Sequence, residues 1–588
     1  MKIKKIYKEI IILLLFTVIF LILTYPLVFS FSSGIIGSYD SDGPIFLWNA
    51  WHLKQSIISN SFNFYTDDIL FPHKSSLILH TYTLFQSFLV LLLDAVIRNI
   101  VLSFNLVFLL FNVATAYFCY RFFSLHINLK TSSILASIFF SFQALWSLYA
   151  IFGTQNLLGL WYIPASVYSY ELYTRDKKLK HSILCGLVLG LAFINGTYSF
   201  IFSVTGLLLY IFLKSLIQNQ KDLLPTLKFI IFGIFSFIIV SAWKIFFIFK
   251  NFSFIKSIPN SSLEDIDRIY HADIMNLFRP VQFHSIWGFW HNWFRDMSIE
   301  NGNSFVGFAF IFTVLLFVVV KIIKKAKFQH LKLCIVFLLA YLLILLLSFG
   351  PYLHFFGIDT HIAMPHYFIQ KILPFYNSIR VPARWLILAQ IFLAGIFALL
   401  LNYVLFNVTK KLKIIIGTMV GIMLILDVVY LPRPITHIFN TNETRAYEKI
   451  ANFNEEGTVM YLPLSISSGY FKVGESTKRP MVYQIIHEKS ILGGHLSRLP
   501  FSYLDEYQNN KVISYLSDYS SFDLNKILEK KEIDDFLSIY EVQYIVLDKQ
   551  QIDISSVEGG FLMDFILENL KFIIYYEDDY NIVFILDK

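Results

Sequence analysis

From Ile10 to Tyr39 the chain carries no charged side chain, and the run then breaks on Tyr39-Asp40-Ser41-Asp42-Gly43-Pro44. Ten further apolar stretches follow, each about 15 to 25 residues long, the length that crosses a hydrocarbon layer roughly 30 Å thick. With 56% hydrophobic and 15% charged residues and a mean hydropathy of +0.60, the sequence reads as an α-helical polytopic membrane protein. Two carboxylates just past the end of the first span are costly to desolvate there, and acids at such a place usually have a function.

The expected spans are 8–30, 101–120, 131–149, 154–172, 181–196, 198–216, 226–248, 304–322, 331–349, 383–406 and 412–431. Met1-Lys2-Ile3-Lys4-Lys5 precedes the first, which lacks a small-residue cleavage site and is expected to stay as an anchor. Basic residues cluster in alternate connections: Lys2 to Lys8, Arg121 and Lys130, Arg175 to Lys180, Lys214 to Lys228, Lys321 to Lys332, and Lys410 to Lys413. The positive-inside rule makes these cytoplasmic, with the N-terminus inside. The apolar stretch 82–97 would invert every later loop if it crossed, so it is expected to re-enter or to lie at the outer interface. About eleven crossings then place the C-terminus outside, together with the long loops 31–100, 249–303 and 350–382. The expected location is the plasma (inner) membrane.

After residue 431 the chain carries 24 acidic and 15 basic side chains, leaving 17 and 33 before it. The basic excess therefore sets topology, and no nucleic-acid signature is present. Segment 432–588 is expected to be an extracytoplasmic α/β domain, large enough for its own core. Its strands are predicted at Gly457–Leu464, Val542–Leu547 and Phe572–Tyr576, and its helices at 444–453, 508–518 and 524–537. Cys119, Cys185 and Cys334 lie in or beside spans, which leaves this domain without a disulfide, and the chain has no CxxC motif.

Three outer loops carry the candidate chemistry. Pro44 to Ile58 sets Ile45, Trp48 and Trp51 on one helical face, with Asn49, His52 and Lys54 elsewhere. That pattern suits a helix in the headgroup layer, anchored by a Trp pair and holding Asp40 and Asp42 at the surface. The alternative role for these acids is to cap that helix, since Asp before Gly-Pro is a common start signal. In the second loop, His271-Ala272-Asp273 and His284 could bind sugar hydroxyls, shuttle a proton or ligate a metal, or be structural. In the third, Arg380 and Arg384 stand at i and i+4 at the start of a span. They are placed either to fork onto phosphate or to snorkel to headgroups. Tyr198, in Asn195-Gly196-Thr197-Tyr198-Ser199, reads as architectural, and Asp94 and Glu171 as peripheral acids.

Acids just after the first span, an interfacial helix, a re-entrant segment and a large loop after the seventh span together resemble the GT-C superfamily of integral-membrane glycosyltransferases. The closer likeness is to a largely uncharacterised group of bacterial and archaeal multi-pass proteins placed near that superfamily. The pieces that carry the likeness are Asp40 to Trp51, Ala272-Asp273 through Pro280 to Trp287-Gly288, and Phe349-Gly350-Pro351-Tyr352 leading to Ile379 through Trp385. Tyr483-Gln484 with His487 and Gly493-Gly494-His495-Leu496-Ser497-Arg498 belong to it as well. One departure is Gly153-Thr154-Gln155-Asn156, where related chains tend to carry Gly-His-x-Gln.

The resemblance implies transfer of a sugar from a polyprenyl-phosphate donor to an extracytoplasmic glycan, lipid or protein acceptor, among membrane lipids. Such a reaction needs a general base at the acceptor hydroxyl and cations at the departing phosphate. Asp40 or Asp42 is the expected base. Arg380, Arg384, Asp273, His271, His284, Trp48 and His52 are the expected substrate-binding residues, with Arg380 and Arg384 at the phosphate. Asp40, Asp42 and Asp273 are the set that would hold a divalent cation, Mg or Mn, if one serves. His487 and Arg498 could contact a glycan or be structural. The competing readings are a flippase of a lipid-linked saccharide, with the same basic rim, and a non-catalytic envelope scaffold.

Overall fold

The computed structural model describes residues 2–38, 40–61, 64–218, 223–256, 271–280, 284–291, 305–373, 379–439, 442–517 and 528–587. Each of the eleven expected spans contains helix. Among the described residues, seven helices are long and apolar enough to cross a membrane: Ile6–Leu23, Ile100–Phe123, Lys130–Ile151, Thr197–Gln218, Leu224–Lys250, Leu331–Ser348 and Pro382–Phe406. The other four, Tyr162–Asp176, Leu179–Asn195, Phe308–Lys324 and Lys410–Leu426, have 15 to 17 residues. At 1.5 Å per residue they reach only about 22 to 26 Å.

The departures from expectation have local causes. The first span stops at Leu23, because Pro26 has no N–H to continue the ladder and a 3₁₀ turn, Leu27–Ser30, follows it. The third bends at Phe142-Gln143 between Lys130–Ser141 and Ala144–Ile151. The fourth begins at Tyr162 rather than 154, since Gly153 and Gly159 at φ +60° and +65° fold the preceding residues into turns. Stretch 82–97 forms the helix Leu84–Ile97, which Arg98 and Asn99 join to Ile100–Phe123; Asn99 caps the latter by accepting from the Leu102 N–H.

Helix Trp385–Phe406 is buried from Trp385 to Leu405, which its all-round apolar sequence requires. Leu331–Ser348, Lys130–Ser141 and Phe308–Lys324 pack around it. Arg384 therefore enters the structure on a rigid, central element.

Glu171 is not peripheral. It is buried, accepts a hydrogen bond from Tyr210 at 2.8 Å, pairs with Lys214, and stands 3.5 Å from His126. Asp94 is buried too, 2.9 Å from Lys54.

The three predicted strands of the C-terminal part join a fourth that was not predicted, Asn581–Leu586, in one sheet in the order Phe572–Glu577, Asn581–Leu586, Val542–Asp548, Thr458–Leu462. The last two run parallel and the other pairs antiparallel. Gly494–Leu496, Ser465–Ser468 and Lys472–Gly474 form a second sheet in that order. Predicted helix 444–453 is Arg445–Ala451. Segment 508–518 splits at Asn510 into Phe501–Asn509 and Lys511–Ser517. The third helix is Lys530–Tyr540, closed by a Glu529/Glu532 capping box, and residues 518–527 of these predictions lie outside the described ones.

This part does not keep its core to itself. Ile45, Trp48 and Tyr162 share one buried cluster with Val459, Met481 and Ile545, and Gly34–Ile36 pairs antiparallel with Ile435–His437. Helix Gly43–Ile58 lies inside that shared core. Trp48 and Trp51 are 0% and 5% exposed, and the Trp48 indole donates to Gln484 Oε1 at 2.8 Å. The expected headgroup helix is thus a buried one, because the C-terminal helix Arg479–His487 covers the face that alternation alone assigned to lipid.

Candidate active site

The acid loop is fixed through its backbone. Ser38 and Asp42 donate their N–H groups to the carbonyls of Ile151 and Phe152, and Gly37 donates to Pro434. The turn at Gly153 supports it from below: a Cβ there would stand 2.7 Å from both Gly43 N and Ser41 Oγ, at a φ already strained for any L side chain. The turn Gly153-Thr154-Gln155-Asn156 is therefore the seat of the acid loop. Asp42 occupies the N-cap position of Gly43–Ile58, yet its carboxylate makes no capping hydrogen bond, and Ser41 Oγ accepts from the Gly43 N–H instead. The Asp42 side chain, partly exposed, lies 3.8 Å from Lys478 Nζ.

Asp40, Asp42, Arg380 and Arg384 all line one cavity of about 730 Å³. Its walls come from the acid loop, residues 77–84, the turn at 152–156, the start of Thr197–Gln218, and segments 467–478 and 495–498 of the C-terminal part. The two arginines, although spaced i and i+4, use different aromatic partners. The Arg384 guanidinium lies 4.9 Å over the Tyr198 ring, and that of Arg380 lies 5.6 Å over Tyr470. Asp42 and Arg384 are close enough to interact electrostatically. Tyr198, read from sequence as architectural, lines the cavity beneath Arg384.

The remaining expected site residues stand elsewhere. Asp273 is buried with each oxygen engaged by the backbone, Oδ1 accepting from Met275 N–H at 2.7 Å and Oδ2 from Gly357 N–H at 2.8 Å. His284 accepts the Ile286 and Trp287 N–H groups at Nδ1 and donates from Nε2 to the Leu426 carbonyl at 2.7 Å. His271 stacks on His354 with ring centroids 3.6 Å apart. Trp48 and His52 stack on each other, and His52 Nδ1 lies 2.7 Å from the Tyr82 hydroxyl. None of these five lines the cavity. Among the described residues no three His, Cys, Asp or Glu side chains gather as metal ligands. The expected trio of Asp40, Asp42 and Asp273 fails as a set because Asp273 is a backbone cap away from the other two.

Of the other lining residues, His80 and Lys478 carried no signal in the sequence, whereas His495 and Arg498 belong to the segment that carries the resemblance, Arg498 as a possible glycan contact. His80 accepts the Ser497 N–H at Nδ1, 3.1 Å, and burial pushes it down to about 3; His495 faces Ser467 Oγ at 2.9 Å and burial holds it well below the usual histidine range. Both are neutral hydrogen-bonding groups at pH 7. Lys478 and Arg498 sit far along the chain from every membrane span, so no spacing links them to Asp40 or Arg384.

No model of a known protein family matches this sequence, and no curated protein does. Among solved structures the chain is similar to the arabinofuranosyltransferase AftD from Mycobacteria, with TM-score 0.51 and 10% identity over 92% of this chain and 35% of that one. It spans about a third of AftD's length. It also aligns with the Archaeoglobus fulgidus oligosaccharyltransferase, with TM-score 0.47 and 11% identity over 93% of this chain and 70% of that one. A third match is ArnT from Cupriavidus metallidurans, solved with undecaprenyl phosphate, with TM-score 0.41 and 9% identity over 99% and 98% of the two chains. The apolar helices and the AftD likeness make this a membrane protein with a GT-C-like fold.

Proposed function

We propose that the protein is a membrane glycosyltransferase that moves a sugar from a polyprenyl-phosphate donor to an extracytoplasmic acceptor. The observation that carries this reading is the cavity in which Asp40 and Asp42 meet Arg380 and Arg384. In the proposed reaction the acceptor hydroxyl oxygen bonds to the anomeric carbon while the bond from that carbon to the phosphate oxygen breaks. The lipid phosphate leaves with the electron pair. The hydroxyl proton passes to Asp40 or Asp42, and the guanidinium groups of Arg380 and Arg384 stabilise the charge that develops on the phosphate. Tyr198 and Tyr470 hold those guanidinium planes. The four groups come from the first and third expected outer loops, which supports chemistry on the extracytoplasmic side, with the N-terminus cytoplasmic and the C-terminal part outside. No step is assigned to a metal, since the trio that would hold one is not assembled.

The test is transfer of radiolabelled sugar from a panel of polyprenyl-phosphate sugars, in membranes holding the wild type, Asp40→Asn, Asp42→Asn or Arg384→Ala. One of the two Asn variants is expected to lose about 100-fold or more of the rate at unchanged protein level, the range for removal of a general base. Absence of turnover by the wild type with every donor, where donor and acceptor are shown to be present, would sink the transferase reading and leave the flippase or the scaffold.

A further inference from the structure

Arg498 belongs to the C-terminal part, yet its guanidinium lies 4.8 Å over the Tyr470 ring, which Arg380 of the membrane bundle also covers at 5.6 Å. The two groups converge from opposite parts of the chain on one aromatic shelf. Gly469 measures how closely: a Cβ placed there would stand 2.9 Å from one terminal nitrogen of Arg498 and 3.1 Å from one of Arg380. Those nitrogens are thus no more than about 6 Å apart, the two distances laid end to end. The glycine is what leaves them room.

Like charges so close repel unless an anion lies with them, and at roughly 6 Å that repulsion is strong wherever water is scarce. Burial and the charges of Arg380 and Arg384 both act to pull Arg498 below its ordinary value, while Tyr470 and Tyr198 oppose them. Around the cavity as a whole, the described lining includes Lys244, Arg380, Arg384, Lys472, Lys478 and Arg498 against only Asp40 and Asp42. A lining with that balance favours a multiply charged anion, and planar guanidinium forks favour phosphate oxygens. The Arg498 fork is also oriented before any ligand arrives, because its Nη1 donates to the Ser497 carbonyl at 2.9 Å.

We propose that Arg498 is a phosphate-binding residue of this cavity, forming with Arg380 a clamp across Tyr470 that holds the donor's phosphate between the membrane bundle and the C-terminal part. The inference rests on the transferase reading above and deepens it by giving the C-terminal part a direct role in donor binding.

The experiment measures undecaprenyl phosphate binding to the purified full chain by native mass spectrometry, with phosphatidylglycerol as a second lipid phosphate. Arg498→Ala is expected to weaken undecaprenyl phosphate binding ~10- to 100-fold, the loss of charge-assisted hydrogen bonds to one fork. Arg498→Lys keeps the charge without the fork and is expected to recover only part of it, at an unchanged melting temperature. Arg445→Ala removes an exposed arginine of the same part and is expected to change nothing. Phosphatidylglycerol binding is expected to be the same in all variants.

A wild type that binds no undecaprenyl phosphate overturns the transferase reading together with the clamp. A wild type that binds it, with Arg498→Ala and Arg498→Lys binding equally well, overturns the clamp alone. So does an equal loss in Arg445→Ala, which would make the effect one of net charge, or an equal loss for phosphatidylglycerol, which would make the site a general headgroup contact.

Discussion

Mild acid is expected to loosen this protein through three histidines held neutral in the core that joins the first loop to the C-terminal part. His487 accepts the Lys489 N–H at Nδ1, 3.1 Å, and its Nε2 stands 2.8 Å from the Tyr461 hydroxyl. His80 accepts the Ser497 N–H in the same way. In both rings the nitrogen that would take a second proton is already bound to a backbone donor. Burial pushes His487 and His80 down to about 3 and His52 down to about 4. An unfolded histidine titrates near 6.5, so below that pH the unfolded chain binds protons that the folded one refuses. The stability these rings contribute is full above pH 6.5 and is lost as pH falls from 6.5 toward 4 and 3. Between pH 7.5 and 5.5 each ring costs about 1.4 kcal/mol, on the order of 4 kcal/mol together, against a typical total of roughly 5 to 15 kcal/mol for a domain. Carboxylates titrate mostly below this window. The assay is thermal unfolding in detergent across that range for the wild type and His487→Gln, whose amide can still meet Tyr461. The variant is expected to lose about 1.4 kcal/mol of the acid-induced drop, the share of one ring. An unchanged pH slope, or a His487 ring that titrates near 6.5 by NMR, would refute the reasoning.

Gly153→Ala is expected to lower the melting temperature and to cut transfer activity, since its Cβ meets Gly43 N and Ser41 Oγ at 2.7 Å and displaces the acid loop at a cost of about 1 to 3 kcal/mol; activity at the wild-type level would show that the loop tolerates the shift. Arg433 is buried and donates to the carbonyls of Leu23, Ser147 and Val428 and to Ser147 Oγ. Arg433→Met removes these donors from buried acceptors, of which the Val428 carbonyl keeps the Ser147 hydroxyl, and is expected to destabilise by about 3 kcal/mol in the same melts. Glu171→Gln strands a buried Lys214 and is expected to cost about 3 to 5 kcal/mol, which the double variant Glu171→Leu with Lys214→Met largely recovers; a double variant no better than the single would show that the pair is worth more than its desolvation.

The helices of the bundle were legible because hydropathy reports burial in lipid and in protein alike, and backbone hydrogen bonds leave an apolar run of 20 residues little choice in a membrane. The same insensitivity misled the reading of Gly43–Ile58. Trp48 and Trp51 mark an apolar face, and nothing local tells lipid from the helix Arg479–His487 that covers it. Val542–Leu547 was legible as a strand for its mostly apolar sequence, rich in β-branched and aromatic residues, which its central place in the sheet explains. Asp273 and His284 drew attention as polar residues in an aromatic setting, and there they hydrogen-bond backbone groups.

By itself the sequence determined that this chain is a multi-helix membrane protein with a mixed α/β part after residue 431. It also marked Asp40, Asp42, Arg380 and Arg384 as charges set at the edges of apolar spans. Those conclusions depend on solvation of single segments, a property each segment carries alone. Only the tertiary structure decided that the four charges share one cavity, that Asp273 is not among them, and that Arg498 meets Arg380 over Tyr470. Residues hundreds of positions apart become neighbours through packing of a core common to the first loop and the C-terminal part, and that geometry is a property of the whole chain.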